Sequence, residues 1–271
     1  MDGTALAEEI SRSRKYGHVS RDTLERVARW ALDRYPPREA LKKAKGKLHQ
    51  ICGAFATQGE VDRAGLMVEE IEKDPAGDPR EACGRILDLH SSTRERREFL
   101  PDLYRRVFAV SGQPARVLDI GCGLHPFSVP FLGLAADCGY LAWDIDGRLV
   151  DLINRYFKAA GVRGSAECRD ILSVRPREAL PTESRDLVLL MKALPTMEQE
   201  IKGSALRILD GFKTAWMLVS YPAVSIGGRQ REDMRGHYRR EFGILAETLG
   251  LRFEEIGFPT ETFYLTSPAR S

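Results

Sequence analysis

The apolar positions of this chain change their period near its middle. Over residues 1–90 they recur at helical spacing. In "SRDTLERVARWALDRYPP", Ser20 is placed to cap a helix, and Leu24, Val27, Ala28, Ala31 and Tyr35 share one stripe. Pro36 and Pro37 end it. "REALKKAKGKLHQICGAF" puts Leu41, Ala44, Leu48, Ile51 and Phe55 on a second stripe, with Lys42, Lys43, Lys45 and Lys47 mainly off it. "VDRAGLMVEEIEK" predicts a third helix, ended by "DPAGDP". Asp78, Pro79 and Glu81 suit the cap, N1 and N3 positions of a fourth helix running to about Leu89. No strand pattern and no low-complexity run interrupts this half.

From about residue 115 short apolar runs alternate with helical stretches. The runs are "ARVLDIG", "GYLAWDID", "SAECRDI", "DLVLLMKAL" and "AWMLVSYP". "GRLVDLINRYFKAAG" and "TMEQEIKGSALRILDGF" read as helices between them. A helix near 231–249 follows the fifth run, and "LRFEEIGFP" with "TETFYLTSP" reads as a terminal hairpin. Strand–helix alternation predicts a parallel sheet covered on both faces. Five parallel strands and a hairpin resemble the class I S-adenosylmethionine (SAM) methyltransferase layout. The expected fold is therefore α/β and Rossmann-like, a mostly parallel seven-stranded sheet preceded by an all-helical N-terminal domain. The expected division is residues 1–88 and 89–271. A fold-level likeness gives no substrate.

Composition narrows the class. A chain of 271 residues that is 43% hydrophobic fits one large domain or two modest ones. No apolar run approaches the roughly 18–20 residues of a membrane span. The start, "MDGTALAEEI", lacks the basic and apolar regions of a signal peptide. Five cysteines, at 52, 83, 122, 138 and 168, form no C-x-x-C pair, so zinc and disulfide readings are weak. A reduced, cytoplasmic protein without a metal site is expected. Net charge is only +2, but residues 1–50 hold twelve Lys/Arg against seven Asp/Glu. The segment 229–241 holds five Arg against three acids. Such patches suit a polyanion; solvated helix faces are the other reading.

"RVLDIGCGLHPFSVP", residues 116–130, carries the first two glycines of G-x-G-x-x-G, Gly121 and Gly123, with Pro126 in the third place. In dinucleotide enzymes the third glycine lets a helix N-terminus face a pyrophosphate. SAM has no phosphate; it has a sulfonium and an amino-acid end. Asp119 beside the loop suits that cation, and the stretch resembles the methyltransferase motif D/E-x-G-x-G. Asp144 ends the second strand, next to Ile145, where an acid bonds ribose hydroxyls. Asp146 competes with it but suits a surface or cap role better. Asp170 in "CRDIL" is placed to accept from the adenine amino group, with Ile171 against the ring. Any one of these acids alone reads as a loop or cap residue. Three at successive strand ends favour SAM.

Several methyl acceptors lack their machinery here. Exocyclic amines commonly need an Asn/Asp/Ser-Pro-Pro-aromatic tetrapeptide after strand four, where this chain reads "MKALP". Pyrimidine C5 needs a Cys nucleophile. No cysteine follows strands four or five, and Cys168 is expected in the core. Catechol methylation needs a carboxylate cluster, which the sequence does not display. Guanine N7 needs neither base nor nucleophile, because its lone pair is exposed. Positioning and desolvation would suffice, and no side chain is assigned a catalytic role.

Four stretches, "LHSSTRER" (89–96), "VLDIGCGLHPFSVP" (117–130), "KALPTMEQE" (192–200) and "VSYPAVSIGGRQREDMRGHY" (219–238), resemble the aminoglycoside-resistance 16S rRNA (guanine-N7) methyltransferases. That family modifies the guanine numbered 1405 in the assembled 30S subunit. The likeness covers most of the chain. It implies SAM as methyl donor, with S-adenosyl-L-homocysteine as product, and 16S rRNA within the 30S subunit as partner. No DNA or membrane partner and a monomeric state are expected. Ser92 and Glu95 form an expected capping box. Thr93 and Arg96 then share a face, where the resemblance implies contact with the SAM carboxylate. Gln199 would line the SAM pocket or cap a helix. The resemblance implies rRNA contact for Lys192 and Arg229. Arg231 and the lysines 42, 43, 45 and 47 add candidate phosphate contacts, and the basic helical half would grip folded rRNA. His90 receives no catalytic role. Val224 stands where known members often have a basic residue, and Pro101 interrupts the helix after "STRER". Rival readings are methylation of another decoding-site base such as adenine N1, a non-catalytic ribosome-assembly factor with a SAM fold, and a small-molecule methyltransferase. An adenine N1 enzyme should clamp its base between aromatics after strands four and five, for which Trp216 and Tyr221 are poorly placed.

Overall fold

Apolar stripes pair the N-terminal helices as their spacing requires. The computed structural model describes residues 2–52, 56–179, 182–223 and 234–268. Helices α1 (Gly3–Ser11), α2 (Arg21–Arg34) and α3 (Pro37–Cys52) bury Leu6, Ile10, Val27, Ala31, Ala44 and Leu48 in a core of their own. Ser20 caps α2, its hydroxyl accepting from the Thr23 N–H at 3.2 Å. Pro36 stops α2 by forcing Tyr35 into an extended conformation, and Pro37 opens α3, since the first helical residue needs no N–H. α4 (Gln58–Lys73) begins three residues before Val61, because Thr57 and Glu60 cap each other. Asp78 accepts from the Arg80 N–H at the start of α5 (Arg80–Leu87).

One local expectation fails at the next junction. α6 (Ser91–Arg97) starts two residues too early for the Ser92–Glu95 capping box: His90 is its N-cap, and Glu95 turns to Lys192. The helix breaks after Arg97, ahead of Pro101, as the sequence implies. Pro101 sits in the first turn of α7 (Leu100–Ser111), where a missing N–H costs nothing.

The second half alternates as its period predicts. β1 (Arg116–Ile120) leads through a 3-10 turn (His125–Phe131) to β2 (Gly139–Asp144), α8 (Gly147–Ala159), β3 (Gly164–Cys168) and the short α9 (Pro176–Ala179). Then come β4 (Asp186–Met191), α10 (Ala193–Glu200), α11 (Ser204–Phe212), β5 (Trp216–Pro222), α12 (Met234–Leu249), β6 (Phe253–Gly257) and β7 (Glu261–Thr266). The sheet order is β3-β2-β1-β4-β5-β7-β6, with β7 antiparallel to both neighbours and the rest parallel. The single helix expected over 196–212 is two helices. Ile201 is extended and Gly203 left-handed (φ 79°), while Glu198 caps α11 through the Gly203 and Ala205 N–H groups. Cys168, expected in the core, is exposed at the end of β3.

One sheet face packs on α4, α5, α7 and α8, the other on α10, α11 and α12. So α4 and α5 share the sheet's core, whereas α1 to α3 keep a separate one. No helix among the described residues is long and apolar enough to cross a membrane.

Candidate functional site

Strand order reverses at β1, with β2 on one side and β4 on the other. Such a switch point opens a crevice beyond the carboxyl ends of the strands. A cleft of about 790 Å³ lies there. Its lining includes Thr93, Arg96, Gly121, Gly123, Asp144, Ile145, Asp170, Ile171, Lys192 and Gln199. Nine of the ten residues expected to hold a cofactor are thereby brought together.

Gly121 and Gly123 adopt left-handed φ values of 68° and 51°, which side chains rarely take. The loop is pinned to β2, since the Gly121 N–H donates to the Trp143 carbonyl at 2.8 Å. Asp144 is 2% exposed. Its oxygens accept from the Gly123 N–H at 2.8 Å and the Asp146 N–H at 2.9 Å. Burial pushes its carboxyl up to about 6, against those hydrogen bonds, which favour the charged form. Asp146 is the N-cap of α8 and pairs with Arg148. Asp170 and Ile171 are both buried beside the cleft.

Asp119 does not line the cleft. Side chains alternate along a strand, and Asp119 falls on the face of Val117, under α7 and α8. There its Oδ2 accepts from the Tyr140 hydroxyl at 2.7 Å and lies 2.8 Å from His125 Nδ1. Tyr104 Oη lies 3.3 Å from His125 Nε2. Asp119 Oδ1 has no hydrogen-bond partner among the described residues. His125 is the member of this buried group that reaches the cleft wall.

The opposite wall is built around a carboxylate that sequence reasoning missed. Glu261, at the start of β7, is fully buried and accepts from Arg96 Nη2 at 2.7 Å and Nε at 3.2 Å. Ser220 of β5 donates to the same carboxylate. Lys192 Nζ lies 3.5 Å from Glu261 and 3.1 Å from Glu95. Lys192 itself is left-handed (φ 56°), the one described non-glycine residue with positive φ, and its N–H donates to Ser220 Oγ at 2.9 Å. The Thr93 hydroxyl is occupied by the Leu87 carbonyl at 2.6 Å. An acid opening an otherwise apolar strand was the one sequence signal for Glu261. Lys192 is thus drawn into the cleft wall by two carboxylates.

The lysines of α3 lie elsewhere. Lys42, Lys43 and Lys47 border a shallow depression with Trp30 and Gln50. Lys43 lies over the Tyr35 ring and Lys47 over Trp30. Lys45 is half-buried, its carbonyl accepting from the Tyr16 hydroxyl at 3.0 Å. Arg229, Arg231, Val224 and the "SIGGR" stretch fall outside the described residues.

The donor set suits an adenosyl amino acid: two carboxylates on one side, a guanidinium on the other, and a glycine loop free of side chains between them. A 3-2-1-4-5-7-6 sheet carrying such a cleft defines a class I SAM-dependent methyltransferase. Residues 12–265 match the ribosomal RNA methyltransferase (FmrO) family, and the chain belongs to it. It is 32% identical over 265 residues to a 16S rRNA (guanine(1405)-N(7))-methyltransferase of Frankia casuarinae, covering 96% of this chain and 92% of that one. It is 34% identical over 241 residues to the protein so named from Serratia marcescens, covering 88% of each. Among solved structures, the 16S rRNA methyltransferase RmtF in complex with S-adenosyl-L-homocysteine is similar, with TM-score 0.82 and 31% identity. That match covers 99% of this chain and 100% of RmtF.

Proposed function

We propose that this enzyme transfers a methyl group from SAM to N7 of guanine 1405 of 16S rRNA in the assembled 30S subunit, giving aminoglycoside resistance. The observation that carries the reading is the nearly full-length similarity to enzymes named for that reaction, found together with a cleft that suits the cofactor. Asp144 holds the ribose hydroxyls, Asp170 the adenine amino group, and Arg96 the carboxylate of the amino-acid end. Thr93, Ile145, Ile171 and Gln199 shape the walls. SAM, when bound, supplies an electrophilic methyl group. The chain's own task is to hold a flipped guanine so that N7 faces that methyl with water excluded; no general base is needed.

Lys192 serves this geometry at the cleft mouth, taking a phosphate of the target nucleotide once it leaves Glu95. Residues 1–88, with the lysines 42, 43, 45 and 47, dock on rRNA, as do Arg229 and Arg231. Docking is to a preformed rRNA surface, by a cytoplasmic monomer. The adenine N1 alternative wants two aromatics free to clamp a base. Tyr221 instead is buried against Tyr238, Phe242 and Tyr264, and Trp216 lies within β5.

Purified protein and labelled SAM should be incubated separately with 30S subunits, free 16S rRNA and 70S ribosomes, followed by aniline cleavage at N7-methylguanine. Label on 30S with cleavage at 1405 is expected. Absence of label on 30S overturns the proposal, and label without cleavage points to adenine.

A further inference from the structure

The N-terminal helices touch the methyltransferase half at the adenosine end of the cleft. The Ser20 N–H donates to the Ile145 carbonyl at 2.7 Å, and the Gly147 N–H to the His18 carbonyl at 2.8 Å. Val19 bridges Asp146. Ser173 Oγ donates to the Asp22 carbonyl at 3.3 Å. These contacts surround Asp170, whose Oδ2 is crowded with donors. Arg26 of α2 reaches it through Nε at 2.9 Å and Nη2 at 2.7 Å. The Thr23 hydroxyl donates to it at 2.9 Å and Ser173 Oγ at 3.2 Å. Among the described residues Asp170 Oδ1 has a single donor, the Leu172 N–H at 2.8 Å, leaving a lone pair for a ligand. The second arm of the Arg26 guanidinium pairs with Glu200 at the end of α10. Arg26 itself lines the cleft.

We infer that Arg26 is a positioning residue for the cofactor's adenine, so that α2 completes the cofactor site from the N-terminal body. Its planar fork fixes the Asp170 carboxylate by one oxygen and turns the other toward the exocyclic amino group. A lysine would pair with the charge without the two aligned N–H groups that hold Oδ2, while the Leu172 N–H on Oδ1 fixes the plane. Arg26 does not touch the reacting atoms. It acts through Asp170, and the inference rests on Asp170 being the adenine acceptor.

The test compares two ligands by calorimetry on the full chain: S-adenosyl-L-homocysteine, and its analogue with purine in place of adenine, which lacks the amino group. The natural chain should prefer the first by roughly tenfold or more, as for a hydrogen bond to a charged group. Arg26→Leu should collapse that ratio toward one while changing affinity for the purine analogue by less than about threefold, a small effect on this scale. Asp170→Ala should collapse it likewise. A ratio that falls in Asp170→Ala but persists in Arg26→Leu overturns the role of Arg26, as does an equal weakening of both ligands. A ratio that persists in Asp170→Ala overturns the adenine assignment itself. Should Arg26→Leu fail to fold, Arg26→Gln, which keeps the side chain polar, is read by the same ratio.

Discussion

Replacing Glu261 by Gln isolates the buried charge that organises one wall of the cleft. In the native chain Arg96 is 1% exposed and Glu261 fully buried, joined by two hydrogen bonds. The variant keeps shape and one acceptor oxygen but leaves the guanidinium without a counter-charge. Removing one partner of a buried pair costs about 3–5 kcal/mol, and the retained acceptor puts this case near the lower end. At about 2–4 °C per kcal/mol for a chain near this size, the melting temperature should fall by roughly 6–12 °C. Urea unfolding of the ligand-free protein measures the free energy, and calorimetric scanning the shift. Arg96→Met combined with Glu261→Leu should recover much of the loss, because an apolar pair avoids the desolvation that both charges suffer. A Glu261→Gln variant within about 1 kcal/mol of the native chain refutes the reasoning, as does a double variant that shows only the sum of the single losses.

Other expectations follow from the same geometry. Asp144→Asn should weaken S-adenosyl-L-homocysteine binding roughly tenfold or more, and unchanged affinity by calorimetry refutes the ribose assignment. Affinity should rise with pH through about 6 and then level, because the buried carboxyl must lose its proton to accept both hydroxyls. In Asp144→Asn that rise should vanish. Stability of the ligand-free chain should carry the opposite trend from this group. Its carboxyl, raised from 3.8 to about 6, holds its proton more tightly folded than unfolded, so its contribution declines as pH climbs through that window. Lys192→Ala should cut methylation of 30S subunits at least about tenfold with cofactor affinity little changed, the loss of one phosphate-directed cation at the target. A parallel loss of both would move Lys192 into the cofactor site. Lys192→Gly should melt above Lys192→Ala by about 1 kcal/mol of stability, since glycine relieves the left-handed backbone; equal stability would show that no strain is held there.

Periodicity made the parallel sheet legible, because buried strands and amphipathic helices leave different spacings. Asp144 and Asp170 were legible for a related reason: one is the last residue of β2 and the other lies two past β3, where the strands run out at the crevice. Asp119 shows the limit of that rule. It lies within its strand, and alternation turned it toward Tyr140 and His125 instead of the cleft. Gly203 divided a continuous helical pattern that one glycine seldom breaks, with the Glu198 cap settling the outcome. Glu261 was hidden because its meaning depends on Arg96, 165 positions away, and Arg26 because Asp170 lies 144 positions on. No local pattern encodes such pairings; the strand order does, by bringing β7 beside β5.

That strand order explains why one acid serves so many partners. Glu261 enters from the antiparallel strand inserted between β5 and the edge, and it meets Arg96 of α6, Ser220 of β5 and Lys192 after β4 at one place. On the proposed function, Arg96 takes the amino-acid end of the cofactor and Lys192 the nucleotide. A reaction that proceeds by alignment, without proton transfer to the protein, depends on the spacing between those two ends. A shared buried carboxylate fixes that spacing more stiffly than two separate ion pairs would, since neither cation can shift without uncovering charge. The left-handed backbone at Lys192 is consistent with this: the chain accepts local strain where the lysine must turn back toward Glu261. Variants of Glu261 should therefore lose cofactor affinity and methyl transfer together, whereas Asp144 and Lys192 variants should separate them.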